Sequence, residues 1–380
     1  MLSEDKIHCD KVMQIKPRDN LFLGTGKNFN KTENAWLNTM LMPYPSVFYG
    51  AICSAMLANN EFRKKAYIYN KKLESDPRKY LKIKNIYLYD DKNNDVYIKA
   101  PLDLYINKKG EIYYGDIRKI KSNMNCSLED ISYLFFNSKK DENERCDGMF
   151  IKRNNFYNSY YYNRDSLSIL KPLEIVENSY KVGIERDNNY VAKEGHLYRV
   201  DLTEFKDKKW SYLIEYGVEN SWWKGKNNKI LDKGYLKLGG ENKVCEFYSY
   251  KRNEKLMDCS HVYDEKNHIG YVKMVLTSPC IFENYNWKPS FKNDIKVVAA
   301  ATGKPYNLGG FDIVIRHPKP MYKVIPEGSV YILKSELFKG KSLKKIKTII
   351  YQENIIKKIP GFGQFEIVPV NKYQMEGIEY

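Results

Sequence analysis

Apolar residues in this chain come mostly in short alternating runs divided by polar turns, a pattern of strands more than helices. Val12 to Ile15 is an extended apolar run closed by Lys16 and Pro17. A polar loop with Arg18, Asp19, Gly24, Gly26 and Lys27 follows. Pro45 and Ser46 suit a helix start, and Val47, Tyr49 to Ile52 and Ala55 to Leu57 continue it. Lys82 to Tyr89 and Val96 to Ile106 are rich in β-branched and aromatic residues and predict strands. Asp90-Asp91-Lys92-Asn93-Asn94 between them is a hairpin turn. Glu111 to Asp116 predicts a further strand. Ser127 to Phe136 predicts a short helix, with Ser127 as N-cap and Glu129 and Asp130 in the first turn. Lys139 to Arg145 is a solvated charge run at a loop tip. The aromatics around Tyr157 to Arg164 suit a strand with Tyr on both faces better than a stacking surface. The order strand, helix, strand, strand, helix, strand is that of a ferredoxin-like α+β fold. A new strand begins in Glu174 to Arg186, and a division into 1–175 and 176–380 is placed there.

Charge then narrows the partners. The 380 residues carry a formal net charge of +16, which favours a polyanion. Lys supplies 52 of the cations and Arg 11, amid abundant Asn, Ile and Tyr. That mixture also fits an AT-rich coding sequence, so charge alone does not decide. The 33 Tyr add aromatic faces on which bases can stack. Residues 331–360 hold eight Lys against two acids, just ahead of Gly361-Phe362-Gly363. Glycine admits a polyanion close to the backbone, and Lys357 and Lys358 supply charge. A solvated helix face followed by an ordinary turn explains the same residues.

Seven scattered Cys without a C-x-x-C pair predict reduced thiols in a cytosolic protein. The charged N-terminus lacks a signal region, and no apolar run approaches the roughly 20 residues of a membrane span. Leu23 to Asn28 has a Walker flavour but lacks the first glycine and the Ser/Thr ligand of magnesium. Cys259, His261 and His268 have no fourth ligand pair, so no metal or other cofactor is expected. His196, beside Tyr198 and Arg199, is the best general-base candidate, although Leu197 to Val200 alternates as a strand.

Several motifs carry a family resemblance. Asp19-Asn20-Leu21-Phe22, Lys27-Asn28-Phe29, Pro43 to Pro45 and Gly50-Ala51-Ile52 open the chain in order. Val182 to Asn188, Glu194-Gly195-His196-Leu197-Tyr198-Arg199 and Leu238-Gly239-Gly240-Glu241 follow. Gly309-Gly310-Phe311-Asp312, His317-Pro318-Lys319-Pro320, Pro326-Glu327-Gly328-Ser329 and Ile359 to Gln364 complete the set. Together they resemble the RAMP superfamily of CRISPR proteins and, within it, the type III-B (Cmr) effector subunits that cap the 5′ tag of guide RNA. Cys53 stands where that family has a basic residue, Phe311 where it has Trp, and Glu327 where it has Ala.

The resemblance implies two ferredoxin-like (RRM-like) domains with β-hairpin and loop insertions. It implies a non-catalytic subunit that binds the 5′ tag of the guide (crRNA). The expected partners are the large polymerase-like subunit and a neighbouring RAMP backbone subunit, in the cytoplasm and away from membranes. Its RNA contacts are expected from Lys16, Arg18, Lys27, Ser46 and Tyr49 near the N-terminus. Arg186, His196 and Arg199 are expected from the middle, and Lys357, Lys358, Gly361, Phe362 and Gly363 from the C-terminal loop. The alternatives are the equivalent type III-A subunit and a metal-independent guide-processing endoribonuclease using His196 and Tyr198.

Overall fold

The computed structural model describes residues 7–24, 35–58, 77–120, 131–137, 143–161, 167–219, 231–251, 270–312, 316–370 and 375–376. Two compact units emerge, each made of two separate segments. The first is Met1–Val96 with Pro172–Asn253, and the second is Tyr97–Lys171 with Glu254–Tyr380. The contiguous division at 175/176 thus gives way to an interleaved one, and only the crossing at Lys171 lies beside it. Strand pairing is the reason: the sheet of the first unit draws strands from both sides of residues 97–171.

In the first unit the elements are β1 (Lys11–Pro17), α1 (Pro45–Ala58), β2 (Leu81–Asp90), β3 (Val176–Arg186), β4 (Ala192–Phe205), β5 (Trp210–Val218), β6 (Lys233–Lys237) and β7 (Val244–Lys251). Five of them order as β2-β5-β1-β7-β6, with antiparallel neighbours. Because β5 is antiparallel to both β1 and β2, those two run parallel with β5 between them, and α1 is their crossover. Taking β1, β2, β5 and β7 as strands one to four, the spatial order is four, one, three, two. Pro45 opens α1, where a missing N–H costs nothing. Phe48, Ile52 and Met56 then bury against Met13, Ile15, Tyr212, Ile214 and Phe247. Each such side chain contributes roughly 1.5–3 kcal/mol of burial. The turn between β6 and β7 needs glycine: Gly239 has φ +73°, and a Cβ there would lie 2.2 Å from the Phe22 carbonyl oxygen. Strands β3 and β4 form a long ribbon, with residues Ala35–Leu37 parallel to β4.

In the second unit β8 (Tyr271–Leu276), β9 (Lys296–Ala301), β10 (Val330–Lys334), α2 (Leu343–Gln352) and β11 (Phe365–Pro369) build a sheet ordered β9-β10-β8-β11. All neighbours are antiparallel, and the order is again two, three, one, four. Here the helix lies between the third and fourth strands. Leu343, Ile346 and Ile350 form its buried stripe, and Ser342 caps it by accepting from Lys345 N at 3.4 Å. Between β8 and β9, residues 277–295 form no helix. Glu353 holds that path by accepting from Lys292 N (2.7 Å) and Asn293 N (3.1 Å), and Tyr331 Oη donates to Trp287 O at 2.6 Å. Beneath this sheet Lys273 Nζ pairs with Asp103 at 2.7 Å, both side chains buried.

The described residues are mostly sheet with few helices, of the expected α+β kind. Four local expectations change. The Val96–Ile106 run breaks at Pro101 into Asp95–Lys99 and Leu104–Ile106, since proline brings no N–H to a ladder. Tyr133–Phe136 is a strand paired with Asp116–Lys119 rather than the end of a helix; residues 127–130 lie outside the described ones. Aromatic packing favours the strand, with Tyr133 buried beside Ile117 and Val298. Glu144–Arg145 pairs with Tyr105 and Ile106 instead of ending a loop. Phe156–Tyr161 is a π-helical turn rather than a strand. Its reason is the buried Asp103 carboxylate, to which Tyr160 Oη donates at 2.9 and 3.1 Å.

Candidate nucleic-acid interface

The sheet of the first unit buries one face under α1; on the other face Val12, Leu213 and Glu215 are also buried, and the residues nearer the β6 edge are exposed. Gln14 and Lys16 of β1, Glu246, Tyr248 and Tyr250 of β7 and Tyr235 of β6 share that outer face. Register puts Lys16 beside Glu246 and Glu246 beside Tyr235. Lys16 Nζ pairs with Asp91. Arg18 pairs with Glu246 at 2.5 Å and lies 5.8 Å from the Tyr235 ring centre. Tyr248 Oη also donates to Glu246, which raises the pKa of that phenol. Tyr235 is 63% exposed, Tyr248 40% and Tyr250 39%. Three partly exposed tyrosines thus lie near Lys16 and Arg18, each of which is paired with a carboxylate. Exposed ion pairs contribute roughly 0–1 kcal/mol, so phosphate can compete with Glu246 for Arg18. The tyrosines of this face were missed by motif reading; their signal was the period-two placing of Tyr248 and Tyr250 in one strand.

Ser46 and Tyr49, on α1, are placed apart from this face. Ser46 is exposed in the first turn of α1. Tyr49 is committed to backbone, donating to Arg78 O at 3.0 Å. Lys27 lies outside the described residues. On the ribbon, Arg186 is exposed at the end of β3, and the backbone of His196 is strand, as its alternation predicts. Arg199 pairs with Asp201 at 2.9 Å and is sandwiched 4.2 Å from both the Trp36 and Tyr180 ring centres. Tyr198 leans over Gly183, where a Cβ would lie 2.2 Å from its ring.

The C-terminal candidates divide in the second unit. Gly361 (φ +77°) and Gly363 (φ +70°) adopt left-handed backbone that glycine tolerates. Phe362 between them is buried against Ile281 and Val324, so its ring is part of the core and not of a surface. Lys357 remains outward. Its Nζ donates to Tyr285 Oη at 2.9 Å and lies 5.1 and 4.6 Å from the ring centres of Tyr285 and Tyr322. The Tyr285 hydroxyl holds the Lys357 pKa above its ordinary value. Lys358 is exposed. Neither Tyr was a sequence candidate; an aromatic inside the polar turn Glu283-Asn284-Tyr285-Asn286 was the available signal.

Among the described residues no three His, Cys, Asp or Glu gather as metal ligands. Cys259, His261 and His268 lie outside those residues. The described Cys9, Cys53, Cys146, Cys245 and Cys280 are free thiols, and burial pushes Cys146 and Cys245 up to about 12. Among the described residues no helix is long and apolar enough to cross a membrane.

A strand-rich chain with basic, aromatic surfaces fits a nucleic-acid-associated protein. The chain belongs to the Cas_Cmr3 family of CRISPR-associated proteins, whose model matches residues 13–368. It is similar to a chain in the cryo-EM structure of the type III-B Cmr-beta complex bound to cognate target RNA. That likeness has 17% identity and TM-score 0.47, covering 91% of this chain and 94% of that one. A chain of the same complex with target RNA and AMPPnP, in state 1, gives 15% identity and TM-score 0.47, over 90% and 89%. A chain of the Csm3–Csm4 crystal structure, from a type III-A interference complex, gives 11% identity and TM-score 0.38, over 95% and 99%. No curated protein matches in sequence.

Proposed function

We propose that this protein is a non-catalytic subunit of a type III-B CRISPR effector, which holds the repeat-derived 5′ tag of the guide RNA. In the same reading it anchors the large polymerase-like subunit and touches a neighbouring RAMP backbone subunit, in the cytoplasm. The observation that carries this is the family match over residues 13–368. The shared strand order of the two sheets supports two ferredoxin-like units. Base pairing reads the target, so this subunit recognises tag shape, phosphates and a few splayed bases. Arg18 and Lys16, at the edge of the outer face, meet phosphate there, and Lys27, outside the described residues, is assigned a phosphate contact with them.

The test is a gel-shift of labelled, tagged repeat RNA with the purified chain in EDTA. Retarded, intact RNA is expected; shortened RNA that survives in wild type but disappears in His196→Ala overturns the non-catalytic reading. Affinity should fall with salt at a log–log slope of roughly −0.7 to −0.9 per phosphate neutralised, and a flat response removes the electrostatic interface. Arg18→Ala with Lys27→Ala should cost about 1.5–3 kcal/mol per charged hydrogen bond lost. Subunits that co-purify with a tagged chain separate type III-B from type III-A.

A further inference from the structure

We infer that Tyr285, backed by Tyr322 and Lys357, is a binding site for one unstacked nucleobase and its adjoining phosphate. This deepens the RNA-binding reading above and rests on it. Three features of the second unit converge. The rings of Tyr285 and Tyr322 are nearly parallel, 6° apart in plane with centres 6.2 Å apart, and Tyr285 is 50% exposed. One side of that ring is therefore backed and the rest is open to a flat partner. Lys357 supplies charge at the same place, and its ammonium donates to the Tyr285 hydroxyl oxygen. That leaves the phenolic O–H free to donate to a phosphate or base acceptor.

The cation here differs from the other candidates. Lys16, Arg18 and Arg199 each face a carboxylate. Among the described residues no carboxylate forms an ion pair with Lys357; it contacts the two rings and the hydroxyl, and the Glu283 carboxylate acts on it only from beyond ion-pair distance. A positive charge laid against stacked aromatics matches a base with its phosphate, because stacking is sequence-tolerant and the ammonium meets the backbone. An apolar protein surface would bury that ammonium with only the phenol and the rings to replace water.

The site is also held in advance. Tyr285 has φ +53°, uncommon for a bulky residue and worth a functional question. Its turn is fixed by Tyr285 N donating to Phe282 O at 2.9 Å and by Asn284 Nδ2 donating to Lys288 O at 2.8 Å. Next to it, Glu283 N donates to Ile355 O at 2.8 Å. Preorganisation lowers the cost of ordering an aromatic platform on binding.

The same chemistry is offered by a base within an RNA strand and by a free nucleotide. Both are probed with the full chain, using single-stranded tagged RNA containing 2-aminopurine and, separately, AMP. Wild type should quench 2-aminopurine at one position of the strand. Tyr285→Ala and Tyr285→Leu should weaken RNA binding about tenfold or more and abolish the quenching, while Tyr285→Phe stays within about threefold. An abasic RNA at that position should bind wild type and Tyr285→Ala alike. If AMP binds and RNA does not compete with it, the occupant is a free nucleotide and the strand assignment fails. If wild type binds RNA and folded Tyr285→Ala and Tyr285→Leu do so equally, this site is wrong while the functional reading stands. If wild type binds neither probe, both fall together.

Discussion

Among the described residues, the two sheets of this protein share one strand order and carry their covering helices at different crossovers. In the first unit the helix is α1, between the first and second strands; in the second it is α2, between the third and fourth. The strand order is common because antiparallel pairing of four strands around a central pair satisfies every internal ladder. The helix position varies because a sheet face needs covering, and either crossover can do it. Where a helix is missing, other devices take over. In the second unit residues 277–295 are pinned by Glu353 and Tyr331 as well as by turn hydrogen bonds of their own. The helices differ accordingly. α1 is apolar over most of its surface and is held by packing, whereas α2 has a narrow buried stripe, a lysine-rich outside and a side-chain cap.

The buried charges separate the units most sharply. Asp103→Ala leaves Lys273 buried without its carboxylate and should cost about 3–5 kcal/mol, read by denaturant unfolding. In the first unit Glu215 is buried and accepts from Asn85 and Tyr87. Glu215→Gln should cost clearly less than Asp103→Ala; equal losses would erase the contrast. Next in size is the loop anchor. Glu353→Ala strands two backbone N–H groups and should cost about 1–3 kcal/mol, with faster hydrogen exchange confined to residues 284–295. Unchanged exchange there would mean that the loop holds itself.

The helix caps give a smaller difference. Ser342→Ala should destabilise by about 1 kcal/mol, because Ser342 Oγ accepts from Lys345 N. Ser46→Ala should be nearly silent, since Ser46 is exposed inside α1 and Pro45 precedes it. Matching losses at the two serines would contradict the reading that only α2 depends on its cap. The smallest effect concerns pH. The Lys357 pKa is raised by the Tyr285 hydroxyl, so their contact is complete below the ordinary lysine value of 10.5 and is lost as pH rises through the higher folded value. NMR titration of Lys357 should show a midpoint above 10.5 that falls back in Tyr285→Phe. A midpoint indifferent to that change removes the hydroxyl as cause.

Legibility followed the range of the forces involved. The strand at Val12 to Ile15, the helix opening at Pro45 and the turn at Asp90 to Asn94 were readable because each rests on neighbouring residues. Tyr133 to Phe136 was misread because the helix signal was local, while Tyr133 is claimed by Val298 from far along the chain. Phe156 to Tyr161 was misread because a buried Asp103 needed the Tyr160 hydroxyl. In the candidate interface, Arg18 and Lys357 were legible as cations beside glycine-bearing loops. Their carboxylate or aromatic partners, Glu246, Tyr285 and Tyr322, come from more than 30 residues away and left no local mark.

By itself the sequence determined the family, the basic character, the mainly strand content and the glycine turns, since motifs, charge and backbone freedom are written residue by residue. Only the tertiary structure decided that the units interleave, that each sheet keeps a different helix, and that Phe362 is core while Tyr285 faces outward. Those outcomes depend on which distant strands pair and which side chains then share a buried volume, and that competition is settled only when the whole chain has packed.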